Sequence, residues 1–195
     1  AKTTIEQPEA PVYEVADGMA LVRQYTHETE PEKLRQLTEN ALALSDTFGM
    51  DFSESLRGVD ALMTNMGLSA QEAFDYMTVG AQNGLDRSGE LADNLAEYSQ
   101  LWSQAGFSAQ EMFSILQNGL DSGAYSLDKV NDFVKEFGIS LSDGRIEENI
   151  DSFSEGTREL FSEWKNGKAS TKDVFYSVIR DLSRMTNQQE ALTIA

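Results

Sequence analysis

Proline is confined to the start of the chain, at Pro8, Pro11 and Pro31. Nothing beyond Pro31 therefore removes a helical donor or drives a ring into the preceding turn. Glycine instead supplies the punctuation, falling where apolar stripes of helical spacing end. Pro31 suits the first turn of a helix with the face Leu34, Leu37, Ala41 and Leu44. Phe52, Leu56, Val59, Met63 and Met66 form the next stripe and stop at Gly67. Ala70, Ala73, Phe74, Met77 and Ala81 run to Gly84, and Leu91, Leu95, Tyr98, Trp102 and Ala105 to Gly106. Met112, Phe113 and Leu116 stop near Gly119, and Val130, Phe133, Val134 and Phe137 stop at Gly138. A short segment around Ile146 and Ile150 follows, then Leu160, Phe161 and Trp164 ending at Gly167. The last helix carries Val174, Phe175, Val178, Ile179, Leu182 and Met185.

Two of these stripes are preceded by a capping box, Ser69 with Glu72 and Ser108 with Glu111, in which two side chains satisfy orphan amides of the first turn. Nowhere does apolar/polar alternation run long enough to compete as a sheet. The expected fold is all-α, a compact array of short helix-loop-helix units. Residues 1–30 read as a lead-in, polar to about Pro11, with Val12, Val15, Ala16, Met19 and Val22 at helical spacing. A hairpin turning at Asp17-Gly18 competes with that first helix. Residues 31–195 read as the helical domain, with repeat units near 67–105 and 106–138.

The repeat is explicit. Gly67-Leu68-Ser69-Ala70-Gln71-Glu72-Ala73-Phe74 recurs as Gly106-Phe107-Ser108-Ala109-Gln110-Glu111-Met112-Phe113, at an offset of 39. Gln82-Asn83-Gly84-Leu85-Asp86 recurs unchanged as Gln117-Asn118-Gly119-Leu120-Asp121, at an offset of 35. The difference of four is about one helical turn, so the second copy reads as a helix shortened by a turn. Gly49-Met50-Asp51 and Gly138-Ile139-Ser140 echo the same glycine, apolar residue and cap. Such units bury their faces only by stacking on neighbours.

Charge excludes some partners. Fifteen basic against 33 acidic side chains give a formal −18, a field that repels phosphate backbones and anionic membrane surfaces. No direct nucleic-acid binding is expected. No run approaches the roughly 18 apolar residues of a membrane span, and Ala1-Lys2-Thr3-Thr4 opens no apolar signal core. Without cysteine there is neither a disulfide framework nor a thiolate site, which fits a cytoplasmic origin.

Catalytic chemistry finds no purchase. His27 is the only histidine, so zinc pairs and Ser-His-Asp relays are unavailable, and its polar surroundings make it a solvated surface residue. No glycine precedes the Lys-Ser or Lys-Thr pair of a phosphate loop. Asp86, Ser88, Glu90, Asn94 and Glu97 match positions 1, 3, 5, 9 and 12 of a calcium loop, but Leu91 stands where that loop turns on glycine. Glu147 and Glu148 are adjacent and read as a solvated face. Trp102 and Trp164 lie on apolar stripes and read as core. No cofactor, metal or catalytic residue is expected, and the chain reads as no enzyme.

Several runs resemble a known family. They are Ser45-Asp46-Thr47-Phe48-Gly49-Met50-Asp51, Leu56-Arg57-Gly58-Val59-Asp60-Ala61-Leu62-Met63, Val79-Gly80-Ala81-Gln82-Asn83-Gly84-Leu85 and Glu97-Tyr98-Ser99. Gly119-Leu120-Asp121-Ser122-Gly123-Ala124-Tyr125 and the stretch from Leu127 to Phe137 continue the likeness. In order and combined length these resemble the tail tape-measure (minor tail) proteins of phages and prophages, closest to those of Gram-positive hosts, from about Leu42 to Ala195. The resemblance implies a virion structural protein of the tail lumen, present in the host cytoplasm during assembly, that sets tail length and leaves with the DNA. It implies tail-tube subunits, tail assembly chaperones and distal tail proteins as partners, with self-association a further expectation. Family members are usually much longer, which marks this sequence as a domain of a longer chain. The competing reading is a cytoplasmic helical-repeat adaptor gripping a partner between units. A hydrolase domain is disfavoured by the missing catalytic constellation.

Gly67, Gly84, Gly106 and Gly138 are expected to end helices with positive φ, and the segment is expected to be a compact domain and not an extended ruler. Excess calcium should leave the melting temperature within error. A clear upward shift would show that the Asp86–Glu97 stretch binds the ion despite Leu91.

Overall fold

The structure is a computed structural model that describes residues 12–185; the polar lead-in up to Pro11 lies outside them. The helices are α1 (Val12–Thr26), α2 (Pro31–Phe48), α3 (Phe52–Met66), α4 (Ala70–Gln82), α5 (Leu91–Gln104), α6 (Ala109–Asp121), α7 (Leu127–Asp143), α8 (Arg145–Glu148), α9 (Glu155–Lys165) and α10 (Thr171–Arg184). A 3-10 turn spans Ile150–Ser152, and no strand occurs among the described residues. The fold is all-α. The chain divides into two compact units, the first ending at Ser99 and the second starting at Gln100.

In the first unit α1 is a helix and not a hairpin. Gly18 is buried in mid-helix, where a Cβ would stand in ordinary contact 3.4 Å from Phe52 Cζ. Pro31 opens α2, where its missing N–H costs nothing, and Gly49 closes it at φ 72°. Asp51 caps α3 by accepting the Glu54 amide at 2.9 Å. The core is filled by Val22, Leu37, Ala41, Leu44, Leu56, Val59, Leu62, Phe74 and Met77. Full burial of each large aliphatic side chain among them is worth about 1.5–3 kcal/mol. Leu62, not the expected Met63 and Met66, completes the α3 face, because that face centres on the buried line Ser55, Val59 and Leu62 and leaves both methionines half-buried. Gly58 permits the closest approach, since its Cβ would lie 3.2 Å from the Ala92 Cα of α5.

In the second unit aromatic rings join the buried aliphatic side chains of Leu116, Leu127, Val134 and Val178. Phe175 of α10 makes edge contacts with Phe107, Phe133 and Phe137 at centroid separations of 5.5, 5.8 and 5.1 Å. Phe107 in turn meets Trp102 edge-on at 5.0 Å. Such pairs add about 0.5–1.5 kcal/mol each beyond their burial. Trp102 is fully buried and donates Nε1–H to Asn131 Oδ1 at 2.7 Å, which satisfies the one polar atom the indole carries inside.

The repeat is more regular in space than in sequence. α4 and α6 both have 13 residues, each opened by a complete capping box. The amides of Gly84 and Leu85 bond the carbonyls of Ala81 and Gly80, and those of Gly123 and Ala124 bond Leu120 and Gly119. Every partner is displaced by the same 39 positions as the capping boxes. Gly84 and Gly123 both adopt positive φ, 82° and 99°. The second helix is therefore not shortened, and the stop expected near Gly119 falls at Asp121, with Gly123 and not Gly119 taking the positive φ. The identical pentapeptide straddles the end of α4 but lies within α6. Gly119 is helical, and a Cβ on it would come within 2.5 Å of Val130 Cγ2, so glycine is needed there for contact with α7.

Gly67, Gly84 and Gly106 take the expected positive φ at 70°, 82° and 93°, but Gly138 does not. It sits inside α7, which continues to Asp143 and ends at Gly144 with φ 98°. Leu141, one turn beyond Gly138, is buried, so the apolar face carries the helix past the glycine. These differences separate three glycine classes by experiment. Gly138→Ala meets no atom within 4 Å and should stabilise the protein by about 0.5–1 kcal/mol through helix propensity. Gly67→Ala should destabilise by about 1 kcal/mol through left-handed strain, and Gly119→Ala by about 1–3 kcal/mol through overpacking against Val130. Chemical denaturation reads all three; destabilisation by Gly138→Ala would contradict its helical placement.

Candidate interaction surface

The residues singled out in the sequence do not come together. His27 is exposed and holds φ 56°, the left-handed position that ends α1, with its amide bonded to Arg23 O at 3.0 Å. A helix terminator is thus the structural role of this histidine. Asp86 Oδ1 accepts the Leu91 amide at 3.0 Å and steers the entry to α5. Burial pushes its carboxyl up, with the Leu91 amide partly opposing. Ser88 Oγ donates to Glu90 Oε2 at 2.8 Å, and Asn94 Nδ2 donates to the Glu90 carbonyl at 3.0 Å. These side chains serve the loop and the first turn of α5. Among the described residues no three His, Asp or Glu side chains converge as metal ligands. Glu147 pairs with Lys165 Nζ at 2.6 Å on the surface, and Glu148 is exposed. Trp164 is half-buried, stacked on Phe161 at 5.8 Å, with Nε1–H donated to Thr171 Oγ1 at 3.2 Å.

A polar clasp between α9 and α10 gave no sequence signal. Thr157 Oγ1, fully buried, donates to Asp181 Oδ2 at 2.6 Å and lies 2.7 Å from the buried Ser177 hydroxyl. The same Asp181 oxygen accepts the Ser154 amide at 2.8 Å. Burial pushes the Asp181 carboxyl up, but these donors outweigh it and hold it below its ordinary value. The capping boxes behave alike. The Ser69 hydroxyl and amide lower Glu72, and the Ser170 hydroxyl and amide lower Asp173. At Glu111 burial acts upward, but the Ser108 amide and hydroxyl and the Lys172 ammonium bring it down on balance.

The surface feature with the clearest capacity for a partner is an open apolar groove of about 490 Å³ in the second unit. Ile115 and Gly119 of α6, Val130 and Phe133 of α7, and Tyr176 and Ile179 of α10 line it. Phe133 and Tyr176 remain 48% and 38% exposed there, which is unusual for rings at the margin of a core. The sequence gives Phe133 as a core-face residue, whereas the structure places it on the groove, which Ala124 also lines.

Fold and groove define an all-α repeat protein with exposed apolar surface available for contact. The model of the phage-related minor tail protein family matches residues 9–195, and the chain belongs to that family. No curated protein and no solved structure matches it. Membership makes it a phage tail-related, virion-associated structural protein. No helix among the described residues is long and apolar enough to cross a membrane.

The lowered carboxyls predict a pH dependence of definite sign. A carboxyl with a depressed folded-state pKa stabilises above its unfolded value and loses that contribution as pH falls through the folded one. The ordinary value for Asp181 is 3.8. The stability difference between wild type and Asp181→Asn should be constant at neutral pH, shrink below about pH 4 and vanish in stronger acid. Asp86, raised by burial, acts in the opposite sense and cancels out of this difference. A gap that widens on acidification would overturn the assignment of Asp181 as the acceptor of the clasp.

Proposed function

We propose that this chain is a segment of a tail tape-measure protein that acts as a structural element and carries out no catalysis. The family match across residues 9–195 carries the reading. In this role the segment occupies the tail lumen, contributes to setting tail length during assembly in the host cytoplasm, and leaves with the DNA. Its partners are tail-tube subunits, tail assembly chaperones and distal tail proteins, and the resemblance to phages of Gram-positive hosts supplies the setting. The acidic surface supports a contribution made through protein partners, since it disfavours gripping the passing phosphate backbone.

The longest described helix, α2, has 18 residues, so no single described helix runs the length of the segment. An in-frame deletion of the 195-residue segment in the phage that carries it, followed by electron microscopy of tails, tests the proposal. A single helix of this length would span about 290 Å at about 1.5 Å per residue. The expected outcome is blocked assembly or tails shortened by far less than that span. Infectious particles with tails of unchanged length would remove the tape-measure role.

A further inference from the structure

The pentapeptide Gln-Asn-Gly-Leu-Asp occurs twice, so one reactive pair, asparagine followed by glycine, sits in two settings with the same neighbours. Glycine leaves its own amide nitrogen unhindered for attack on the asparagine Cγ. Attack requires the peptide plane between the two residues to turn, because a helical ψ holds the nitrogen away from that carbon. At Asn83, just past the end of α4, ψ is 3°. Turning the plane there breaks one bond, from the Gly84 amide to the Ala81 carbonyl at 3.0 Å, since the Asn83 carbonyl accepts none among the described residues. Gly84, at φ 82°, is free to take up the change. Asn83 is exposed, and its carboxamide is likewise unbonded among the described residues.

At Asn118 the same turn breaks a helix. Gly119 lies within α6, and the Asn118 carbonyl accepts the Ser122 amide at 2.9 Å. The third such pair, Asn166-Gly167, follows α9. Its glycine takes φ 69°, but Asn166 Nδ2 is tied to the Ser162 carbonyl at 2.8 Å. A cation further distinguishes Asn83. A Cβ on Gly84 would stand 2.5 Å from Arg87 Nε, so the guanidinium lies within about 5 Å of the Gly84 nitrogen. Arg87 is exposed and makes no ion pair among the described residues. Its charge favours the amide anion that attacks. Nothing stands within 4 Å of the corresponding position at Gly167, and at Gly119 the neighbour is Val130.

We propose that Asn83 is a site of self-modification, where the protein converts a carboxamide to a carboxylate faster than at its other two Asn-Gly pairs, with Arg87 assisting. The Gly84 nitrogen, having lost its proton to solvent, bonds to Asn83 Cγ. The bond from Cγ to Nδ2 breaks, and Nδ2 leaves as ammonia by taking a proton from water. Water then opens the succinimide ring, giving aspartate by attack at Cγ and isoaspartate by attack at the main-chain carbonyl carbon. Isoaspartate lengthens the main chain by one carbon just before Leu85, which is buried in the core of the first unit, so the turn that seats this side chain loosens.

The test incubates the complete chain in warm, mildly alkaline buffer, native and in denaturant. Peptide mass spectrometry follows each asparagine, and an isoaspartyl methyltransferase reads the isoaspartate. In denaturant Asn83 and Asn118 should react at equal rates, because their neighbours are identical. In the native protein, the rate relative to that reference should be at least about tenfold higher at Asn83 than at Asn118, with Asn166 between them. Arg87→Gln, on an exposed side chain, should lower the native rate at Asn83 about threefold and leave the denatured rate unchanged. Equal protection of Asn83 and Asn118, or Asn166 as the fastest native site, would overturn the proposal. So would a native rate at Asn83 that Arg87→Gln leaves untouched.

Discussion

A helix of thirteen residues does not hold itself together in water, because nucleation is costly and isolated helices below about 12–15 residues are marginal. Nearly every helix of this protein falls near or below that length, so each depends on the neighbour that covers its apolar face. In the first unit the cover comes from interlocking aliphatic side chains, brought close by Gly58 where α3 meets α5. In the second, aliphatic side chains are joined by Phe175, whose ring touches aromatic residues from α7 and from the loop before α6. The backbone bond from the Lys172 amide to the Ala105 carbonyl, 2.9 Å, fixes the start of α10 against that loop, so the ring is delivered to its place by its own helix terminus.

Local signals were legible where one residue type has one physical job. Ser69 with Glu72 and Ser108 with Glu111 announce their helices because only that spacing closes both cap bonds. Gly67, Gly84, Gly106 and Gly167 announce helix ends. The reading failed where glycine serves contact or nothing at all. Gly119 is small to admit Val130, and Gly138 lies inside a helix that the buried Leu141 prolongs. Neither circumstance is visible from the glycine's own neighbourhood. His27 is exposed as its polar surroundings indicate, but its role in ending α1 carries no signal, because a non-glycine residue takes the left-handed position there. The candidate surface was less legible still. Phe133 fits a core stripe in sequence, and the Thr157–Ser177–Asp181 clasp joins residues whose separations carry no helical or motif pattern.

Function enters through collective likeness rather than through a site. The runs that resemble tail proteins are loops, caps and stripes, and two of them also supply Gly119, Ser122, Ala124, Lys129, Val130 and Phe133 to the groove. That overlap suits a structural component, in which a fold presents surfaces and the chemistry belongs to contact area and charge.

The pentapeptide Gln-Asn-Gly-Leu-Asp has a history to tell. It occurs twice unchanged, once across a helix terminus and once within a helix, while the caps around it keep a fixed stagger of 39. An alignment guided by letters places a four-residue gap between the copies, whereas a superposition guided by hydrogen bonds needs none. If the hairpins descend from one ancestor, what inheritance preserved is the spacing of beginnings and endings, with the words between them free to slide by a turn. Relatives of this chain would then be sought more profitably by the rhythm of their helix boundaries than by the identity of their residues.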